Sequence, residues 1–416
     1  MWIRFFIIIA IIGLAEYYSI IVVRSAVRNF PPAGRTAALA VYIGLTLFSW
    51  LGLILFRQIN WAALPHYYRN LYIAFVLGFT VGKVLILLVM LIDDIRRLFT
   101  WLVTTVAYSN TSAPDGSEKG ISRSLFLKQT ALVLGGLSLV GFMMGIRNRY
   151  NYRVRKVKLK LNSLPEAFKG LRIVQVSDIH TGSFDNHSAV AHGIERIMDQ
   201  KPDLILFTGD LVNNHADEVD TKYQEIFAKL KAPMGVYSTL GNHDYGDYVH
   251  WPDAQAKIDN LNKLKATQAA MGWRLLMNEH VLLEKGGDKI ALIGIENWSA
   301  KANFPKYGDL AKAYQGLKEQ NIAVKILMSH DPSHWHAQVL PEFKDISLML
   351  SGHTHGMQFG IDTKWYKWSP VQYMYNEWAG LYTEGEQNLY VNRGFGFLGY
   401  PGRLGILPEI TLFELG

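Results

Sequence analysis

The sequence predicts about four N-terminal transmembrane α-helices followed by an α/β domain, and three observations predict it. Half of the 416 residues are hydrophobic and only 19% are charged, which is too apolar for a disordered or wholly soluble chain. The charge is divided, with 19 Lys+Arg against 5 Asp+Glu in residues 1–160 and 23 against 30 in residues 161–416. The apolar runs also change, from stretches long enough to cross a bilayer to short runs of Val, Ile and Leu. Because the basic charge flanks apolar runs and the second half is acidic, the net charge of +7 does not point to nucleic acid. The absence of Cys excludes a disulfide scaffold, a Cys nucleophile and a thiolate metal site, and leaves the redox compartment open.

Four runs, roughly 2–23, 36–56, 71–92 and 125–146, approach the ~20 apolar residues a membrane helix needs. Arg4 lies near an end and snorkels. Glu16 and Lys83 lie inside spans, where interhelical pairing or snorkelling is the ordinary expectation and a transport pathway the rarer one. The fourth run reaches full length only if Leu125–Leu127 join it and Lys128 snorkels. The expected organisation is three spans in 1–108, a polar linker at 109–124, a fourth span at 125–147 and a folded domain at 151–416. The segment Ser122-Arg123-Ser124-Leu125-Phe126-Leu127-Lys128 resembles a twin-arginine export signal, with Ser124 where the second Arg belongs.

Topology follows from the loops. If the segment before the fourth span is cytoplasmic, loops 24–35 and 93–124 with Lys128 hold eight Lys+Arg inside, against Arg4, Arg57 and Arg69 outside. That arrangement obeys the positive-inside rule and makes the chain a multi-pass protein of the cell (inner) membrane with an extracytoplasmic catalytic domain. Seven basic residues after the fourth span oppose it. From Arg153 to Leu161, however, most of these alternate with Val and Leu, as in a strand with one wet face.

Beyond residue 170, Leu171–Val176, Leu204–Phe207, Gly235–Leu240, Lys289–Ile295, Val324–Met328 and Ile346–Leu350 read as buried strands. Helix-length segments at 188–200, 217–231, 253–271 and 307–320 separate several of them, which is an α/β pattern. Polar clusters follow five of the six strands: Ser177-Asp178-Ile179-His180, Gly209-Asp210, Gly241-Asn242-His243-Asp244, Ser329-His330-Asp331 and Ser351-Gly352-His353-Thr354-His355-Gly356. In open α/β sheets, sites form at that edge. Asp, Asn and His suit borderline-hard divalent metals. Residues two apart leave a strand end on the same side, as Asp178/His180 and His353/His355 would. Glycines at 209, 241, 352 and 356 let the backbone turn and approach a ligand.

The ordered set Asp-x-His, Gly-Asp, Gly-Asn-His-Asp, His, Gly-His-x-His resembles the calcineurin-like metallophosphoesterase family over about 165–416, with every motif complete. The tail, with Asn392-Arg393-Gly394-Phe395-Gly396, Pro401-Gly402-Arg403-Leu404-Gly405 and Pro408-Glu409, is similar to that family's bacterial membrane-associated branch. The resemblance implies two packed β-sheets flanked by helices and two divalent metal ions (Mn, Fe or Zn). Asp178, His180, Asp210 and His355 would hold the first ion. Asp210, Asn242, His330 and His353 would hold the second, with Asp210 bridging. Such a pair clamps a phosphoryl group and activates a bridging water as hydroxide. His243 would act as general acid or electrostatic partner, Asp244 would orient its ring, and Arg393 would contact a phosphate or be structural. The other His residues (66, 187, 192, 215, 250, 280, 334 and 336) read as ordinary.

Seven aromatics (Trp365, Tyr366, Trp368, Tyr373, Tyr375, Trp378 and Tyr382) fall within eighteen residues. They read either as a contact with bilayer or acyl chain or as a packed lid. The expected function is hydrolysis of a phosphoester or pyrophosphate bond in a phosphorylated lipid or nucleotide-sugar-lipid, with membrane lipids as partners and no nucleic acid. UDP-2,3-diacylglucosamine pyrophosphatases of the family give one model substrate, but it is cytoplasmic, which conflicts with the topology above. The alternatives are a silent scaffold or sensor, although no ligand is missing, and a phosphodiesterase or phosphoprotein phosphatase on non-lipid substrates. A nuclease would need a basic groove. A transporter would show repeats or broken helices, and neither is evident.

Overall fold

The computed structural model describes residues 2–55, 59, 64–107, 123–301 and 304–416. The chain forms two compact units, Met1–Ile146 and Arg147–Gly416.

The first unit holds α1 (Trp2–Ala26), α2 (Pro32–Ile54), α3 (His66–Ala107) and α4 (Arg123–Gly145). All four are long and apolar enough to cross a membrane. Pro32 opens α2 at a first-turn position, where its missing N–H costs nothing. The 42-residue α3 continues well past the expected end at 92 and would extend about 63 Å. It does not stop at Asp93 because Arg96 and Arg97, one turn on, pair with that carboxylate at 2.9 and 3.1 Å. No Gly or Pro interrupts the chain from there to Ala107. The linker expected at 109–124 lies outside the described residues as far as 122. Small residues let α3 and α4 approach: a Cβ on Gly82 would stand 2.7 Å from the Gly135 carbonyl oxygen. Glu16 of α1 and Lys83 of α3 form an ion pair at 2.6 Å.

The second unit contains two six-stranded sheets. The first, in the order β1-β14-β2-β3-β4-β5, comprises β1 (Arg153–Leu159), β2 (Arg172–Val176), β3 (Leu204–Phe207), β4 (Val236–Ser238), β5 (Arg274–Leu275) and β14 (Glu409–Leu415). The second, in the order β12-β13-β9-β8-β7-β6, comprises β6 (Glu279–Lys285), β7 (Asp288–Gly294), β8 (Lys325–Met328), β9 (Leu348–Ser351), β12 (Gly380–Glu384) and β13 (Gln387–Val391). Strands β10 (Ile361–Asp362) and β11 (Lys367–Trp368) make a separate hairpin. The inner strands β2–β3–β4 and β7–β8–β9 are parallel, and antiparallel partners join at β14, β6 and β12.

One core lies between the sheets and joins Ile173, Leu204 and Leu206 to Leu292, Ile326, Leu348 and Tyr390. A second packs the first sheet against α5 (His187–Met198), α6 (Thr221–Phe227) and α7 (Ala254–Ala270), and a third packs the second sheet against α8 (Leu310–Tyr314). The layers are therefore helix, sheet, sheet, helix. Asn186, Asp220 and Asp253 cap the first three of these helices by accepting backbone N–H bonds. The segment expected to be helical at 307–320 keeps only α8, because Gly316 turns left-handed (φ +83) just beyond it. β1 alternates wet and dry as expected, so the basic residues from Arg153 onward belong to the folded unit.

Candidate metal centre

All five polar clusters leave the C-terminal ends of β2, β3, β4, β8 and β9, so the two sheets deliver them to one edge. There a cavity of about 210 Å³ is lined by His180, Asp210, Asn242, His243, His353 and His355 together with apolar residues that include Met357, Val371, Met374 and Leu398. Asp178 and His330 are fully buried.

Backbone conformation marks the site. Asp178, His180, Asp210, His353 and His355 all have φ between +49 and +71, a region that costs a non-Gly residue about 1–3 kcal/mol. The folded sheets over-determine these turns and hold the side chains inward. Two glycines make room for the carboxylates: a Cβ on Gly241 would lie 2.2 Å from Asp210 Oδ1, and one on Gly352 2.2 Å from Asp178 Oδ2.

The ligating atoms fall into two groups, Asp178/His180/His355 and Asp210/His330/His353, each within 4.8 Å. Asp210 Oδ2 reaches both, at 3.5 Å from His180 Nε2 and 3.1 Å from His330 Nε2. His355 Nε2 is 3.3 Å from Asp178 Oδ1. The Nε2 atoms of His180, His330 and His355 are buried without a hydrogen-bond partner. His330 shows the arrangement most clearly: its Nδ1 donates to the Thr208 carbonyl at 2.7 Å. In a neutral ring, Nε2 then presents a lone pair to a carboxylate oxygen, a contact that either a proton on that nitrogen or a metal ion between the two relieves. Burial opposes charge on His330, yet the Asp210 carboxylate overrides it and lifts its pKa to about 10. Burial pushes His180 the other way, to about 3. The donor set of carboxylates, imidazoles and an amide, without thiolate, fits divalent metal ions.

Asn242 and His353 differ from the rest. They bond to each other at 2.8 Å, and His353 Nε2 meets the Tyr375 hydroxyl at 2.9 Å. Holding an ion requires them to exchange these bonds for it. Asp331 backs His353 at 3.6 Å.

His243 faces the cavity. Its backbone N–H donates to Asp210 Oδ1 at 2.9 Å and its ring Nδ1 to the Asn213 carbonyl at 2.8 Å. One expectation is corrected here, and Arg393, left between two readings, falls on its structural side. Asp244 does not orient that ring, because its carboxylate accepts backbone N–H bonds from Asp210, Leu211, Val212 and Gly241. The two residues are neighbours in a helical turn, and adjacent helical side chains do not face each other. Arg393 is buried against Glu409 (2.6 Å) and Asp362 (3.0 Å) and does not line the cavity. Its role in the fold is to tie the tail to β14. Asn213 was missed, although its side-chain oxygen also meets His180 Nδ1 at 3.1 Å. It stands three residues beyond Gly209-Asp210 in the same loop, and a short motif carries no signal that far. His334 bonds Ser329 and Gln338, and His336 pairs with Glu377.

Residues 171–357 match the calcineurin-like phosphoesterase domain. Residues 3–149 match the domain described as "Probable Calcineurin-like phosphoesterase, transmembrane domain". The metallophosphoesterase YkuE of Bacillus subtilis is 31% identical over 312 residues, covering 71% of this chain and 98% of that protein. The chain belongs to the calcineurin-like phosphoesterase family. This phosphoesterase is a membrane protein and a metal-dependent phosphoester hydrolase. A zebrafish transmembrane protein with a metallophosphoesterase domain is 29% identical over 72% of the chain, which spans only 65% of that relative's length. UDP-2,3-diacylglucosamine pyrophosphatase LpxG of Chlamydia trachomatis is 26% identical over 58% of the phosphoesterase and 84% of its own length.

Proposed function

We propose that this phosphoesterase hydrolyses a phosphoester or pyrophosphate bond in a lipid or lipid-linked substrate, with two divalent ions held by Asp178, His180, Asp210, Asn242, His330, His353 and His355. The observation that carries the reading is Asp210, whose carboxylate stands between the two groups and faces the buried Nε2 atoms of His180 and His330, neither of which has a hydrogen-bond partner. Residues 1–108 and 125–147 anchor the chain in the cell membrane, and 151–416 catalyse.

Bound ions would supply charge to activate a water and to stabilise the phosphoryl oxygens. The protein's own residues do the rest. Asp178 and Asp210 are the only two carboxylates among the seven ligands, so the loaded site stays positive and favours an anionic phosphate. His243 is held by the Asn213 carbonyl at Nδ1–H, and as imidazolium it would give its Nε2 proton to the leaving oxygen and remain neutral with Nδ1–H in place. Met357, Met374, Val371 and Leu398 give the cavity an apolar side suited to the acyl part of a lipid.

The LpxG relatives support a lipid-linked nucleotide substrate of the UDP-2,3-diacylglucosamine type, which needs a cytoplasmic site. The loop charges support an extracytoplasmic one, and a topology assay with accessible tags on each side decides between them. The test of function is hydrolysis by detergent-purified full chain, metal-stripped and refilled with Mn, Fe or Zn. Substrates are a chromogenic phosphodiester, a phosphomonoester and a lipid pyrophosphate. Metal-dependent turnover that favours the lipid pyrophosphate supports the reading. Equal or better turnover of the water-soluble esters moves it to a phosphodiesterase or phosphatase of non-lipid substrates. No turnover with metals bound moves it to a scaffold or sensor.

A further inference from the structure

The structure divides the aromatic segment at 365–382. Tyr375 and Trp378 are buried with Val371, Ala379 and Ile406 in a small core beside the cavity. Trp365, Tyr366 and Tyr373 are instead 87%, 56% and 78% exposed. Trp365 and Tyr366 form the tip of the β10–β11 hairpin, and Tyr373 ends the turn Pro370–Tyr373. Met357 and Met374 are both exposed and both line the cavity, so the apolar surface runs up to its mouth. Internal contacts brace the patch: the Ser369 hydroxyl donates to the Gly356 carbonyl at 2.8 Å, and the Phe359 and Trp368 rings lie 6.1 Å apart.

We propose that this patch docks on an anionic lipid bilayer, seating Trp365, Tyr366 and Tyr373 among the headgroups so that the cavity opens at the lipid–water interface. Three observations select a bilayer. The same chain carries four helices able to cross one, so a membrane is its constant neighbour. Exposed Trp and Tyr are the residue types that settle at headgroup level. Charge agrees as well. Residues 363–376 hold no Asp or Glu, within a half whose acids outnumber its bases, and offer Lys364 outward, while Lys367 turns its ammonium to the Ala379 carbonyl. Lys364 Nζ lies 5.1 Å from the Trp365 ring centroid, so cation and aromatic meet the headgroups together. A protein partner or second copy fits less well, because the cores of such interfaces are depleted in Lys. Delivery of lipid headgroups to the site rests on the proposed substrate class, whereas docking itself does not.

The chain has no Cys, so a single engineered one carries the probe. Full chain with Tyr366→Cys, Tyr373→Cys or, as control, Lys201→Cys is labelled with NBD. It is reconstituted into phosphatidylethanolamine/phosphatidylglycerol vesicles containing doxyl-labelled phosphatidylcholine. The proposal expects blue-shifted, doxyl-quenched emission at 366 and 373 and not at 201. It also expects Trp365→Ser/Tyr373→Ser to slow hydrolysis of a vesicle-embedded lipid pyrophosphate about tenfold, or ~1.4 kcal/mol, with a soluble chromogenic diester unaffected. Equal quenching at all three positions overturns it. So does quenching at 366 and 373 by a second labelled copy instead of by lipid. If nothing is hydrolysed, the functional reading fails while the quenching still decides the docking.

Discussion

The two units bury charge in opposite ways. In the membrane-spanning unit, Glu16 and Lys83 meet at 2.6 Å, with the Trp50 indole N–H and Thr46 completing their hydrogen bonds. These charges close on each other. In the catalytic unit, Asp210 faces His330 and His180 at 3.1 and 3.5 Å, and neither facing nitrogen has a hydrogen-bond partner. Left-handed turns at five of the seven proposed ligands keep that second set from relaxing. A closed pair supports packing, whereas an open set held against strain is prepared for a ligand of opposite charge.

That contrast breaks most completely at Asp210. The Asp210→Asn chain should retain at most one of the two ions and fall to background hydrolysis, read by elemental analysis and turnover together. His243→Ala should keep its metal and lose about 10²–10⁴-fold in kcat, the range of a general acid; loss of metal instead would make it a ligand. Asn213 holds His180 through its side-chain oxygen and His243 through its backbone carbonyl, and only the first bond is lost on substitution by alanine. Its alanine variant should lose about 10–100-fold in metal affinity or activity, as partners of metal-binding histidines do. The closed pair sharpens the comparison from the other side. Lys83→Met strands Glu16 and should destabilise the membrane unit by about 3 kcal/mol, read as a lower unfolding temperature in detergent. Glu16→Gln added to it should recover much of that loss. Neither variant should change the metal content or kcat of the remaining folded protein.

Local signals made much of this legible. The buried strands β2, β3, β4, β7, β8 and β9 are apolar runs, and each proposed metal ligand sits within four residues of a strand end. The structure brings all seven to one edge. Pairings distant in sequence were not legible. Arg155 meets Asp362 across 207 positions. Arg393 is taken by Glu409 of β14, a strand whose alternating sequence has no local signal for its place between β1 and β2. Asp244 stands beside His243 in sequence, yet three of its four partners are the amides of Asp210, Leu211 and Val212 in another loop. The aromatic segment illustrates the same limit: composition marks it as interface-prone, and only the fold separates buried Tyr375 and Trp378 from exposed Trp365 and Tyr373.

The open set is proposed as a two-ion centre joined by Asp210. Its most direct test is metal content per chain in full-length protein, by inductively coupled plasma mass spectrometry after refilling with Mn or Zn. The expected result is two ions per chain in the parent protein, none or one in Asp210→Asn, and hydrolysis that follows the loss. A parent chain that binds no more than one ion, or an Asp210→Asn chain that retains two and turns over normally, would contradict it.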